Sequence, residues 1–231
     1  MRTVTVFAAV LTLQVATYTL PPAELPRYVS EDPEIVWYPI AGSSLSDLRR
    51  EMALRGPRDN EGVHAGMTRS WTNWHVQFGG GEGANPCYMR SVQVTVHDTV
   101  TLPMWTPPLH ADSGLVAEWG RFVTMLGRHE VGHRSIALDA AGEIATALAS
   151  FPSRASCSDM LAAENAQGQA ILATSQERQK QYDADTRHGM RRGTLLENLD
   201  APAPRLPTLL IVVIISALVC AVVWTVRSRA R

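Results

Sequence analysis

Two histidines four residues apart with a glutamate beside the first, His129, Glu130 and His133 in the stretch RHEVGHRSIALDAA, are the residues of this chain best suited to chemistry. Metal-assisted hydrolysis of an amide needs neutral imidazoles to hold the ion, a third protein ligand and an open position for water. It also needs a carboxylate that takes a proton from that water. On a helix, residues four apart are separated by about 40° around the axis, so both imidazoles can reach one ion. Glu130 is then placed to touch the water rather than the metal. Trp119, Phe122, Met125 and Leu126 before the pair, and Ile136, Ala140 and Ile144 after it, fall on the same helical face. The histidines therefore point inward, where polar groups without partners are costly. A shared ligand is the simplest reason for their position; two core histidines bonded to carbonyls are the alternative.

The third ligand must come from another segment. A chain turn three residues after His133 would bring the residue at plus six to the metal, but Ile136 occupies that turn position and Asp139 follows it. On a continuing helix Asp139 lies about 240° from His133 and faces away, while Glu143 is about 15 Å further along the axis. Downstream, Glu164 on a second helix would complete a His-His-Glu site of the thermolysin-like type. Asp183, Asp185 and His188 lie in the polar stretch YDADTRHG. His188 is the favoured ligand, because a loop imidazole followed by Gly189 can approach a metal freely; Glu164 and Asp185 remain as alternatives, and the stretch also reads as a solvated helix end.

The elements that must position these groups follow from periodicity. Ile35 to Ile40 reads as a strand, Gly42-Ser43-Ser44 as a turn with an N-cap, and Leu45 to Leu54 as a short helix stopped by Gly56-Pro57. Residues 67–78 and 91–105 read as strands separated by a GGGEG loop. Val92, Val94 and Val96 alternate with Gln93, Thr95 and His97, which predicts an antiparallel sheet with one face on the core. Asp112 and Ser113 can cap a helix from Gly114 to Ser150. Its straight length of about 55 Å exceeds the roughly 40 Å expected across such a domain, so a bend or break is expected at Gly127, Gly132 or Gly142. A second helix is expected from Ser158 to about Tyr182. The fold class is thus α+β and zincin-like, a small antiparallel sheet on the long HExxH helix and a second helix.

The ends of the 231-residue chain carry an address. Residues 1–20 have one cation, Arg2, then an apolar run, the order of a signal peptide or N-terminal anchor. Residues 21–34 read as a linker, 35–198 as the domain and 199–206 as a hinge. Residues 207–226 form an uncharged segment long enough to span a membrane, and 227–231 an Arg-rich tail that the positive-inside bias puts in the cytoplasm. The domain is therefore expected outside the cytoplasm, with membrane lipid around the C-terminal helix. A formal charge of −1 and no basic stripe exclude nucleic acid as a partner. Cys87 and Cys157 lie in the domain and Cys220 in the span. In an oxidising compartment the first two are most simply paired, two separate buried thiols being the alternative.

Beyond these readings, several stretches resemble a known family: YPIAGSSLSDLRREM with its GPRDNEG turn, SWTNWHV, Cys87 ahead of a V-x-V-x-V strand ending in TLPMW, HEVGHRSIALDAA, Cys157 with Leu161 and Asn165, and YDADTRHG. The family is that of the predicted secreted zinc-dependent proteases of bacteria, catalogued mainly as a domain of unknown function. The resemblance covers residues of about 35–195. It implies that His129, Glu130 and His133 carry the metal-site roles and that Cys87 pairs with Cys157, and it lends weight to the turn from Asp185 to His188. The C-terminal span is an addition to that pattern.

The expectation is a membrane-anchored zinc metallopeptidase with Glu130 as general base. Its substrate would be a protein or peptide, at the membrane or in the cell wall, aligned by backbone pairing with an edge strand such as 67–78. The competing expectation is a membrane-tethered binding or assembly module whose zinc is structural or absent.

Overall fold

The computed structural model describes residues 18–81 and 85–187. The signal or anchor segment up to residue 17, the favoured ligand His188, the hinge, the apolar segment 207–226 and Cys220 lie outside the described residues. Among the described residues, no helix is long and apolar enough to cross a membrane.

Three strands and three helices follow one another as β1 (Val29–Ile40), α1 (Leu45–Arg55), β2 (Met67–Gly79), β3 (Tyr88–Trp105), α2 (Ser113–Ala149) and α3 (Cys157–Thr186). The class is α+β. The sheet order is β1-β3-β2. β2 pairs antiparallel with β3, but β1 pairs with it in parallel, Val29 against Val94 through Ile40 against Trp105. The sheet is therefore mixed, not antiparallel as the alternation of valines led one to expect. Period-two burial reports which face of a strand is covered and is blind to the direction of its neighbour.

β1 begins at Val29, inside the stretch read as linker, because its acidic and proline residues suit an edge strand. Pro33 has no ladder proton to give, and Asp32 and Glu34 are exposed. Glu31 is the exception: its carboxylate bonds Arg134 of α2 on two sides, and both side chains are buried.

Val92, Val94 and Val96 are buried on one face of β3 as their spacing requires, packed with Ala137, Leu138, Ala141, Ile144, Ala145 and Leu148 of α2. The stripe continues through Asp98, Val100 and Leu102, so that a carboxylate stands in the covered face. Trp105 and Trp119 are buried, as are Leu48 and Met52 of α1. The two indoles meet edge to face at 5.7 Å.

Both N-caps the sequence offers are used: Ser44 Oγ accepts from Asp47 N at 3.2 Å, and Asp112 Oδ1 from Leu115 N at 2.9 Å. Against expectation, α2 runs unbroken for 37 residues. Its glycines serve close approach instead of bending: the ring of Tyr18 lies on Gly127, that of Tyr182 on Gly132, and Pro26 on Gly142. Each glycine costs the helix about 1 kcal/mol relative to alanine. The Cys87–Cys157 disulfide ties the start of α3 to the strand end of β3, beside the paired backbones of Cys87 and Arg154.

Candidate metal centre

α3 does not stop at Tyr182. It continues through Asp183 and Asp185 to Thr186, with Arg187 in the left-handed region at its end. Tyr182 to Thr186 of the stretch read as a polar turn are thus the last part of a helix. Gln179, Tyr182, Asp183 and Thr186, at helical spacings of three and four, turn toward α2, where each bonds or stacks on a histidine.

The three groups converge tightly. Asp183 Oδ1 lies 3.0 Å from His133 Nε2 and 3.2 Å from His129 Nε2, and the two Nε2 atoms are 3.2 Å apart. Among the described residues, His129, His133 and Asp183 form the group of side chains that could hold a metal ion. Asp185 accepts instead from Gln181 within α3, at 2.9 Å. Glu164, though buried, accepts from Trp74 Nε1 at 2.8 Å, about 28 Å down the helix from Asp183 at 1.5 Å per residue. Neither joins the site. Asp139 is exposed, as its angle on the helix predicts, and Glu143 pairs with Arg178 of α3 at 2.7 Å.

Hydrogen bonding settles which ring nitrogens face the centre. Gln179 Nε2 donates to the carbonyl of His133 at 2.9 Å, so its Oε1, 2.6 Å from His133 Nδ1, accepts a proton from that nitrogen. The Thr186 hydroxyl donates to the Tyr182 carbonyl at 2.6 Å, so its oxygen accepts from His129 Nδ1 at 3.4 Å. In the neutral imidazoles both Nε2 atoms are then left with lone pairs aimed at each other and at a carboxylate. Such a donor set calls for a cation at its centre. Its edges of 3.0–3.2 Å are close to the roughly 3.3 Å between ligands about 2.0 Å from a tetrahedral ion. The residues fit a metal.

Protonation of the imidazoles relieves the same clash, each Nε2 then donating to Asp183. Burial pushes the Asp183 carboxyl up, but hydrogen bonds and charge from His129 and His133 outweigh it and hold the group well below the usual carboxylate range. Burial alone would lower His133; its bonds to Asp183 and Gln179, with the Asp183 and Glu130 charges, leave it raised. The Tyr182 ring stacks on His129 at 5.1 Å and meets His133 edge-on at 5.0 Å.

Glu130 sits on the same turn of α2 but faces β2. It is buried, and its Oε2 accepts from the Thr68 hydroxyl at 2.8 Å. Burial raises its carboxyl, against the lowering pull of His129, His133 and the Thr68 bond. Nearby, the Tyr38 hydroxyl donates to Ala65 O at 2.6 Å, and burial together with the Glu130 charge pushes the phenol far up.

Gln179, Tyr182, Thr186 and Thr68 were not singled out from the sequence. The helical spacing of the first three with Asp183 is the signal that could have found them; nothing local marks Thr68.

A family described as a bacterial protein of unknown function (DUF922) has a model that matches residues 35–189. No curated protein and no solved structure matches the chain.

Proposed function

From the premise that the chain belongs to this bacterial family of unknown function, DUF922, we propose that it is a zinc metallopeptidase acting outside the cytoplasm. The observation that carries the reading is the convergence of His129, His133 and Asp183 with a buried carboxylate, Glu130, on the same turn of α2. His129 and His133 would hold zinc through Nε2 and Asp183 through Oδ1. Three protein ligands would leave a place for water, as in catalytic sites. Zinc bound there supplies a Lewis acid that lowers the pKa of water to about 7.

The chain's own residues would do the rest. Glu130 takes the proton of the attacking water and later gives it to the departing amine. The neighbours Gln179 and Thr186 keep the two imidazoles in the tautomer that presents Nε2. β2 is an edge of the sheet and touches Glu130 through Thr68. An extended peptide pairing with that edge would pass the general base, its backbone supplying affinity. The Cys87–Cys157 disulfide suits an oxidising compartment, in keeping with the export and membrane segments read from the chain's ends.

Glu130→Gln is the test. It should keep one zinc per chain and lose hydrolysis of peptides, including cell-wall peptides, in a panel screened with the zinc-loaded protein. Cleavage at the wild-type rate by this variant would sink the role of Glu130. A wild-type protein that binds no stoichiometric metal, and whose stability a chelator leaves unchanged, would leave the tethered binding module as the better reading.

A further inference from the structure

We propose that Thr68 is a positioning residue for Glu130, its hydroxyl fixing the carboxylate in the orientation that receives a proton. The proposal rests on the reading of Glu130 as the general base of a metal site.

A glutamate side chain has three rotatable bonds and reaches many places from a helix; a base is effective only when held within hydrogen-bond reach of its proton. Here the restraint comes from another element. Thr68 lies on β2, opposite Val100 of β3, and its hydroxyl stands 2.8 Å from Glu130 Oε2 and 3.1 Å from the Glu130 main-chain carbonyl. One hydroxyl thus spans both ends of the side chain, and the shorter contact is to the carboxylate. Hydrogen bonds to charged acceptors are the stronger kind.

The other oxygen is bounded as well. A Cβ on Gly66 would come within 2.8 Å of Glu130 Oε1 and 3.0 Å of Leu126 Cδ1, so the bare backbone just before β2 forms one wall of the carboxylate's place. The preceding carbonyl, Ala65 O, is held by the Tyr38 hydroxyl at 2.6 Å. Strand β2 and the turn before it therefore bound one carboxylate on α2, and β1 holds that turn through Tyr38. A merely structural threonine, filling space or bonding only the helix carbonyl, would not need Glu130's acid.

That difference can be read without a substrate. Acetohydroxamate binds a catalytic zinc and passes its hydroxyl proton to an adjacent carboxylate, so its affinity for the zinc-loaded protein reports how well Glu130 is placed. Four proteins would be titrated with acetohydroxamate by calorimetry: wild type, Thr68→Val, Glu130→Gln and the double variant. Zinc affinity would be measured separately.

Thr68→Val should weaken hydroxamate binding roughly tenfold while zinc affinity stays within about twofold, and Thr68→Ser should restore most of the loss. In the Glu130→Gln background, Thr68→Val should cost little more, because the two groups act as one unit. Equal losses in both backgrounds, or wild-type hydroxamate affinity in Thr68→Val, would overturn the proposal. Should Thr68→Val fold poorly, Thr68→Ala carries the same comparison. Absence of hydroxamate binding by the wild-type zinc protein, or no effect of Glu130→Gln alone, would instead overturn the general-base reading and this inference with it.

Discussion

Gly132 lies between the two histidines of α2, and the ring of Tyr182 rests on it. A Cβ there would stand 2.1 Å from Tyr182 Oη, 2.3 Å from Cζ and 2.8 Å from Cε1. Carbon contacts settle at about 3.5–4.0 Å, so Gly132→Ala forces the ring back by roughly 1.2–1.5 Å. The ring has little freedom to tilt, being stacked on His129 at an interplanar angle of 11° with its hydroxyl 3.3 Å from the His129 carbonyl. The displacement therefore passes to α3, where Asp183 is the next residue. Even half of it exceeds the tolerance of about 0.2 Å expected of a ligand distance. Zinc affinity should fall by about 10–100-fold, the range seen when supporting partners of a metal site are lost.

The stability effect has two opposed parts. Alanine in a helix interior gains about 0.5–1 kcal/mol over glycine, and overpacking costs about 1–3 kcal/mol, so a net loss of about 0.5–2 kcal/mol is expected. Gly120→Ala is the control, because a Cβ at Gly120 meets nothing within 4 Å; it should show the propensity gain alone. Competition with a chelator and thermal melts with and without zinc would measure both effects. Should Gly132→Ala raise the Tm as Gly120→Ala does and bind zinc like the wild type, the close approach of α3 through Tyr182 would be refuted as what sets the site.

Three further outcomes are expected. Asp183→Asn should weaken zinc binding by an order of magnitude or more, whereas Asp185→Asn should leave it unchanged in the same titration, because only the first carboxylate faces the histidines. Removing the disulfide by replacing Cys87 and Cys157 with serine should cost about 4 kcal/mol, from a closed loop spanning 70 residues and the chain-entropy relation; urea unfolding of the oxidised wild type against the double variant would check it, equal stabilities refuting it. Asp98 is buried, and burial pushes its carboxyl from 3.8 up to about 6, against the Ser70 hydrogen bond and with the Glu31 carboxylate adding to the rise. Its folded form thus holds a proton that the unfolded chain releases near pH 4, so its contribution is present below that pH and is lost as pH rises to about 6, by up to about 3 kcal/mol. Asp98→Asn should flatten this slope and raise the Tm at pH 7.5 relative to wild type, with little difference near pH 4; a variant destabilised equally at both pH values would refute the assignment.

What the sequence makes legible here is whatever a period can report. His129, Glu130 and His133 share a turn of an amphipathic helix, and Val92, Val94 and Val96 alternate, so a helix with two inward imidazoles and a covered strand follow from spacing alone. Spacing is silent where polar residues are buried against partners from afar. Asp98 continues the valine stripe because Ser70 of β2 donates to it, and no neighbour in sequence announces that. Asp183 is hidden for a similar reason. YDADT looks alike whether it ends a helix in water or faces two histidines, and the choice is made by Gly132 fifty residues away, which admits Tyr182. The parallel course of β1 is equally invisible, since a strand's alternation is the same in either direction.

The ion pair between Glu31 and Arg134 bears on where this domain can be cut. The family match starts at residue 35, within β1, which starts at Val29. A chain trimmed to that boundary keeps every residue of the metal centre and loses Glu31, along with the Pro21 carbonyl that accepts from Arg134 Nη1 at 2.8 Å. Arg134, one residue past His133, would lose both of the acceptors that bond its guanidinium and the chain that covers it. An excised piece that keeps both acceptors of Arg134 must therefore begin before Pro21, upstream of the matched residues.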